Sequence, residues 1–205
     1  MPVEVIECEQ GTPEWFAARL GIPTASEFAC VIAQGKGGGE SVGRRTYMYK
    51  LAGEIITGEI AEAYTNPDME RGKAMEAEIR AAYEFENDLT VQCVGFLKNG
   101  RKGASPDGLI GNDGLVEFKS CSPHILIQRM KLDNFPPEHM AQCQGQLLVS
   151  EREWTDCVLY WPKMPRYVKR TYRDEAYIAK INAAIRQFND DLDELVAWLR
   201  QRQAA

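Results

Sequence analysis

Apolar residues recur at helical spacing through the first part of the chain, between residues that start and stop helices. The stretch TPEWFAARLG, residues 12–21, opens with a capping threonine followed by proline and closes with glycine, which predicts a short helix. A second helix is predicted to begin at Thr24 or Ser26. Residues 44–58 and 70–87 also repeat apolar positions at intervals of three and four, so each is predicted to be an amphipathic helix.

The pattern changes in the middle of the chain to short β-branched and aromatic runs separated by glycine, asparagine and proline. Runs of this kind are typical of strands, and they occupy residues 90–100, 103–111, 114–121, 155–163 and 166–173. A helix is predicted between them at residues 137–150. From Tyr177 to Leu199 the apolar spacing predicts an amphipathic helix of about seven turns, which we expect to pack on the sheet.

This order of elements predicts an α/β fold in which a mixed central β-sheet is flanked by helices. A length of 205 residues favours one domain. It would comprise N-terminal helices over residues 12–58, a core over 70–173 and a C-terminal helix over 174–202. The glycine-rich stretch at residues 33–43 is predicted to be a mobile surface loop.

Charge and composition exclude some classes of protein. The net charge of -6 argues against a nonspecific polycation, because an acidic surface repels phosphate. The basic residues are nevertheless bunched, at Arg44, Arg45, Lys98, Arg101, Lys102, Lys163, Arg166, Lys169, Arg170 and Arg173. A basic channel inside an acidic exterior and a set of ordinary solvated faces both fit this distribution.

Two further features concern location. No segment approaches the roughly 20 apolar residues of a membrane helix, and the N-terminus MPVEVIECEQ lacks the basic and apolar regions of a signal peptide. We therefore expect a cytoplasmic protein that does not enter a membrane. The six cysteines contain no C-x-x-C pair, which indicates reduced thiols rather than a zinc cage or a disulfide framework.

The candidate chemistry lies in SPDGLIGNDGLVEFK, residues 105–119. Alternation along a strand puts Glu117 and Lys119 on one face, and pairing around the turn would bring Asp107 towards that face. Two close carboxylates repel unless a cation neutralises them, and Mg²⁺ is bound by one or two carboxylates together with water and phosphate oxygens. The group would suit phosphodiester hydrolysis, although a turn acid followed by an exposed ion pair would have the same sequence.

Five blocks of sequence resemble the phage lambda exonuclease family, the YqaJ-type viral recombinases of the PD-(D/E)xK nuclease superfamily. They run from about Gln10 to Leu148 and read TPEWFAARLGIPTASEF, ERGKAMEAEI, ASPDGLI, LVEFK and HMAQCQGQL. The resemblance implies a restriction-endonuclease-like core. It assigns Asp107 and Glu117 as metal-binding acids, and Lys119 as the catalytic lysine. It also implies that Glu76 completes the catalytic metal site and that the Phe118 carbonyl contributes to it.

The resemblance assigns further roles outside these strands. Gln142 matches the family's catalytic glutamine on the helix after the core, and Gln146 shares its helix face. Arg19, Ser26 and Ser105 match a pocket for the terminal 5′-phosphate. An arginine can grip such a phosphate with two hydrogen bonds, and backbone N–H groups at a helix start beside Ser26 would add to the attraction.

Four positions depart from the family's pattern. Lys36 lies in a loop that often contains arginine, and we expect it to reach the 5′-phosphate as a point charge. Met69 occupies the place of an apolar wedge that splays the terminal base pair, although a core methionine fits equally. Arg71 replaces an aromatic residue and is expected to meet the DNA duplex. His139 also takes a position that is often aromatic, and its role stays open.

The resemblance implies a Mg²⁺-dependent, ATP-independent 5′→3′ exonuclease. It would degrade one strand of linear double-stranded DNA from 5′-phosphorylated ends to mononucleotides, leaving 3′ single-stranded DNA for annealing recombination. Two Mg²⁺ ions per site, with Mn²⁺ as a substitute, a toroidal homotrimer and a phage single-strand annealing protein as partner are also implied, in a bacterial host cell. Two alternatives are a PD-(D/E)xK endonuclease and a noncatalytic DNA-end-binding module.

Overall fold

The computed structural model describes residues 2–60 and 67–203, and their side chains over 2–60 and 75–203. The helices of this part are α1 (Pro13–Arg19), α2 (Phe28–Ile32), α3 (Val42–Thr57), α4 (Pro67–Asn87), α5 (Pro123–Leu132), α6 (Met140–Ser150) and α7 (Glu175–Gln203). The strands are β1 (Glu4–Ile6), β2 (Val91–Gln92), β3 (Phe96–Lys98), β4 (Gly103–Ala104), β5 (Gly108–Ile110), β6 (Gly114–Ser120), β7 (Trp154–Tyr160) and β8 (Tyr167–Tyr172).

The central sheet has five strands in the order β2-β5-β6-β7-β8. β6 and β7 are parallel and the other neighbours are antiparallel, so the predicted mixed sheet is confirmed. The two parallel strands are buried along most of their length, as expected for strands covered on both faces. The chain crosses from β6 to β7 through α5 and α6.

Helices cover both faces of the central sheet. On one face, Ile79 and Tyr83 of α4 pack against Val116 and Phe118 of β6. On the other face, buried residues of α6 join the core around β6 and β7. Because alternate residues of β6 point to opposite faces, Phe118 anchors the strand on α4 while Glu117 and Lys119 face α6.

α7 was expected to pack on the sheet, but its main neighbours are the helices α2, α3 and α6. Its apolar stripe meets the N-terminal helices, where Phe188 stacks on Tyr47 with ring centroids 5.5 Å apart. The Arg44 guanidinium lies 5.3 Å from the centre of the Phe188 ring, and its Nη2 is 2.5 Å from Asp191 Oδ2. The N-terminal helices therefore supply the surface that the long helix covers.

Several predicted boundaries were wrong. The predicted strand at 90–100 is two strands, because Cys93 to Gly95 break it and send β2 and β3 to different sheets; β3 pairs with β1 and β4 instead. The strand predicted at 103–111 likewise divides into β4 and β5 around Pro106. β1 and α5 were missed, although Ser122 and Pro123 form an ordinary helix start. The second helix starts as a 3-10 turn over Ala25–Glu27.

Many of the bunched basic residues are in ion pairs with acids. The paired members include Arg44, Arg45, Arg101, Arg166, Lys169, Arg170 and Arg173. This favours the interpretation as solvated, internally neutralised faces for those positions. All six cysteines are free thiols. Within the described ranges, none of the helices combines the length and the apolar character needed to cross a bilayer.

Candidate active site

The two acids of the SPDG and VEFK segments meet because β5 and β6 form an antiparallel pair. Gly108 lies opposite Val116, so Asp107, the residue before β5, sits beside Glu117 of β6. The Phe118 N–H donates a hydrogen bond of 2.6 Å to Asp107 Oδ2. A Cβ at position 108 would lie 2.0 Å from Val91 Cγ1. Glycine is therefore needed directly after the aspartate.

Glu117 lies at the centre of a hydrogen-bond network and is 3% exposed. Its Oε1 is 2.6 Å from Lys119 Nζ and accepts a 2.6 Å hydrogen bond from Gln142 Nε2. Its Oε2 accepts a 2.5 Å hydrogen bond from Gln146 Nε2. The two glutamines lie one turn apart on α6, so one helix face holds both oxygens of the carboxylate.

Gln146 was not assigned a role from the sequence. The available signal was its position four residues after Gln142, which puts both on one face. Gln144, between them, points elsewhere, and its Nε2 donates to Thr171 Oγ1 and the Tyr172 carbonyl.

Negative charge outweighs positive charge around Asp107 and Glu117. Burial raises the pKa of Asp107 well above its ordinary value, and the charges of Glu117 and Glu76 raise it further. Burial alone would lower the pKa of Lys119, but the carboxylates of Glu117 and Asp107 outweigh it and raise that pKa. Lys119 therefore stays protonated, and one ammonium faces more than one carboxylate. Glu76 also pairs with Arg80, at 2.5 Å.

The residues fit a hard divalent cation. Over the described side chains, no three His, Cys, Asp or Glu residues form a ready cage, but Mg²⁺ needs only one or two carboxylates when water completes its shell. Asp107 and Glu117 supply these, and a cation beside them would relieve the repulsion that raises the Asp107 pKa. Close to them, Gln146 Oε1 is buried and has no hydrogen-bond partner among the described residues, which adds an unused neutral oxygen. The Phe118 carbonyl as a ligand stays a prediction.

The proposed phosphate pocket is built on α1 and the segment after it. Thr12 caps the helix through a 3.4 Å hydrogen bond from the Trp15 N–H, with proline next in the chain. Gly21 has a φ of +67°, a left-handed conformation that suits glycine. The Gly21 N–H donates a 3.0 Å hydrogen bond to the buried Glu54 of α3. These contacts fix the path of the chain from Arg19 to Ser26.

Trp15 contacts two residues of the predicted phosphate pocket. Its indole N–H donates a 2.8 Å hydrogen bond to Ser105 Oγ, and the Arg19 guanidinium lies 3.9 Å from the centre of its ring. Arg19 Nη2 also donates a 3.4 Å hydrogen bond to Thr24 Oγ1, which lies 3.3 Å from Ser26 Oγ. Burial lowers the pKa of Arg19. Trp15 was missed, although it lies in the TPEWFAARLG segment that was quoted for its helix signals.

One cavity of about 210 Å³ joins the acids to this pocket. Its lining comprises Gln10, Trp15, Arg19, Thr24, Ala25, Ser26, Ser105, Asp107, Glu117, Gln142 and Gln146. The cavity thus brings together the sequence-predicted residues Arg19, Ser26, Ser105, Asp107, Glu117 and Gln142, and the charges of Lys119 and Glu76 both act on Asp107.

The other predicted positions have different outcomes. Lys36 is exposed in a 3-10 turn over Lys36–Gly38 and is not part of the lining. The side chains of Met69 and Arg71 lie outside the described residues. His139 precedes α6, and its pKa is lowered by burial and by the charge of Lys119. Its role stays open.

Comparison with known proteins identifies the family. The model of the YqaJ-like viral recombinase domain matches residues 14–153. The chain belongs to this family. The YqaJ-like match covers the helix, acid and glutamine segments on which the resemblance was based, so that resemblance is confirmed.

Solved structures agree with the YqaJ-like assignment. LHK-Exo, an alkaline exonuclease from Laribacter hongkongensis, is 34% identical across 94% of this chain and 98% of its own. The TM-score is 0.85 for its complex with dAMP and 0.84 for a second crystal structure. A phage-related exonuclease from Haemophilus somnus 129PT covers 87% of this chain and 96% of its own at 14% identity, with a TM-score of 0.67, and supports the fold alone. No curated protein matched the chain.

Proposed function

We propose that this protein is a Mg²⁺-dependent, ATP-independent 5′→3′ exonuclease that degrades one strand of linear double-stranded DNA from 5′-phosphorylated ends. The observation that carries the proposal is the shared cavity. Its lining combines the donors Arg19, Ser26 and Ser105, called here the donor or phosphate end, with the acids Asp107 and Glu117, called the acid end. A terminal phosphate at the donor end would bring the first phosphodiester towards the acids, which implies release of mononucleotides.

Each end suits its part of the substrate. A terminal phosphate carries more charge than an internal one, and a guanidinium with neighbouring hydroxyls binds such a group through charge-assisted hydrogen bonds. Arg19 is held in place by Trp15 and Thr24, so little ordering is needed on binding. LHK-Exo was crystallised with dAMP, a nucleoside monophosphate of the size proposed here as the product.

At the other end, the chain's own residues control charge. Asp107 and Glu117 would hold the cation, with Glu76 and the Phe118 carbonyl completing the set. Lys119 stays protonated and would donate to the attacked phosphate, stabilising the negative charge that develops there. Gln142 keeps Glu117 in its orientation. When bound, Mg²⁺ would polarise the phosphodiester and lower the pKa of water; two ions per site are proposed, with Mn²⁺ as a substitute.

The family supports a proposal for the biological setting. A YqaJ-like recombinase that removes one strand would leave 3′ single-stranded DNA, the substrate for single-strand annealing. We therefore propose a phage or prophage origin, action in the bacterial cytoplasm, and a phage annealing protein as partner. A toroidal homotrimer around the duplex would keep the enzyme on its substrate.

The deciding experiment compares three DNA substrates with and without Mg²⁺. They are a 5′-phosphorylated linear duplex, the same duplex with 5′-hydroxyl ends, and a covalently closed circle. We expect mononucleotides from the first, slower release from the second and none from the third, all requiring Mg²⁺. Cleavage of the circle would instead indicate an endonuclease, and end binding without release would indicate a noncatalytic module.

A matched pair of variants tests the site itself. Asp107→Ala should abolish nucleotide release while leaving DNA binding, because it removes one of the two acids that would hold the cation. Asp113→Ala removes an exposed acid from the turn between the same two strands and should keep wild-type activity. Turnover retained by Asp107→Ala would contradict the assignment.

A further inference from the structure

Gln146 has a free oxygen inside the candidate site. The residue is 1% exposed and lines the cavity beside Glu117 and Gln142. Its Nε2 donates a 2.5 Å hydrogen bond to Glu117 Oε2, while its Oε1 is buried without a partner among the described side chains. The opposite amide orientation would put two oxygens 2.5 Å apart, so the free atom is the acceptor.

The unpaired amide oxygen is specific to Gln146 and is not shared by Gln144, a second buried glutamine on the same helix. Gln144, two residues earlier on α6, is equally buried. Its Nε2 has two acceptors, Thr171 Oγ1 and the Tyr172 carbonyl, and its Oε1 accepts a 2.9 Å hydrogen bond from the Asp174 N–H. A buried amide oxygen without a donor is costly, which suggests that a ligand supplies the donor at Gln146.

The chemistry of the cavity narrows the ligand. A phosphate dianion offers only acceptors and cannot satisfy an amide oxygen. It fits the end of the cavity that holds Arg19 and Ser26. The end with Asp107 and Glu117 has Gln146 Oε1 as a further oxygen, and its nitrogen donors Lys119 Nζ and Gln142 Nε2 are already paired with Glu117 Oε1. A hydrated divalent cation matches it, since the ion meets the carboxylates and its water molecules are hydrogen-bond donors.

We propose that Gln146 is a positioning residue for this cation, an inference that rests on the proposed function. Its Nε2 fixes the rotation of Glu117, and its Oε1 accepts a hydrogen bond from the ion's hydration shell. Such contacts, one step removed from a metal, commonly change metal affinity or activity about 10–100-fold when lost.

The test measures Mn²⁺ binding to metal-free protein by isothermal titration calorimetry. Gln146→Met keeps the bulk and removes both polar atoms, so the dissociation constant should rise about tenfold, or about 1.4 kcal/mol. In turnover assays kcat should fall, whereas KM for 5′-phosphorylated ends should stay unchanged because the phosphate end is untouched.

Gln144→Met is the matched control, because it removes a buried glutamine from the same helix away from the cavity. It should lower the unfolding temperature but leave Mn²⁺ affinity at the wild-type value. A folded Gln146→Met with wild-type Mn²⁺ affinity, or an equal affinity loss in Gln144→Met, would overturn the inference. Asp107→Ala separates the two proposals. If it also keeps full Mn²⁺ affinity, the proposed metal site fails; if it alone loses affinity, only the role of Gln146 fails.

Discussion

Asp107 is held in a state that is unfavourable for its own charge. Burial makes the largest contribution to its raised pKa, and the neighbouring charge of Glu117 raises it further. The hydrogen bond from the Phe118 N–H only partly offsets this rise. Because the folded protein binds this proton more tightly than the unfolded chain, ionisation of Asp107 costs stability. Active sites often keep such unfavourable groups because their chemistry needs them.

We predict that Asp107→Asn stabilises the metal-free protein while inactivating it. The folded-state pKa lies above the ordinary value of 3.8, so the penalty is absent below about that pH and grows as pH rises through the folded-state pKa. Thermal unfolding with a chelator should therefore give a higher midpoint for the variant at pH 8, and a smaller difference at acid pH.

The exposed Asp113→Asn is the control for this measurement and should leave the midpoint unchanged at both pH values. A metal-free Asp107→Asn protein that unfolds at or below the wild-type temperature at pH 8 would contradict the predicted penalty.

Single residues differ in how well the sequence reveals them. Asp107, Glu117 and Lys119 could be predicted because strand alternation and one hairpin bring them together, and Gln142 and Arg19 followed from the resemblance. Trp15 and Gln146 were not assigned roles, since their contacts are with Ser105 and Glu117 of other elements. Spacing along one element does not encode those contacts.

At the scale of elements, α6 joins the two ends of the cavity. It carries Gln142 and Gln146 and packs on the Ala25–Glu27 turn that presents Ser26. The close approach occurs at Gly145, where an added Cβ would lie 2.4 Å from Phe28 Cδ2 and 3.3 Å from Ala25 Cβ. Phe28 is fully buried, so its ring has little room to move.

We predict that Gly145→Ala destabilises the protein by about 1–3 kcal/mol, the usual cost of overpacking, and lowers activity, because α6 must move away from the Ser26 turn. Urea unfolding and the exonuclease assay measure the two effects. Gly53→Ala in the middle of α3 is the matched control, since nothing lies within 4 Å of its added Cβ. It should be neutral or more stable by about 0.5–1 kcal/mol. A Gly145→Ala protein that behaves like Gly53→Ala would show that α6 has room to adjust.

Elements also differ in how far pattern alone could define them. Long amphipathic helices and the two buried parallel strands were predicted because their periodicity is local. The assignment of β2 and β3 to different sheets was not, because it depends on pairing with β5 and with β1. The position of α7 failed for the same reason, since an apolar stripe shows that a helix is buried but not what it packs against.

For the whole molecule, the exposed side chains bear on assembly. The chain exposes large apolar side chains, with Phe85 89% exposed and Tyr172 at 65%. Many of the basic residues that would line a channel are already paired with acids of the same chain. If copies of the chain enclose a basic channel, its positive charge must come from basic residues outside these ion pairs or from the way the copies are arranged around it.

We predict a homotrimer of about 69 kDa in solution, three times the chain mass of 23.1 kDa, by light scattering coupled to size-exclusion chromatography. The expectation follows from the resemblance to a family of toroidal nucleases. The measurement should be repeated over a tenfold range of concentration and at raised salt, which screens surface ion pairs. A mass of one chain under all these conditions would contradict the prediction.

Because donors and acids line one cavity, the proposed enzyme would select the phosphodiester bond that it cuts by position along the strand. If the terminal phosphate is the reference point, the bond that is cut is chosen by its distance from the strand end and not by the identity of the bases. Every sequence should then yield fragments of the same length. That length would be a property of the spacing between Arg19 and Glu117, and changing it would require moving the elements apart rather than altering the chemistry.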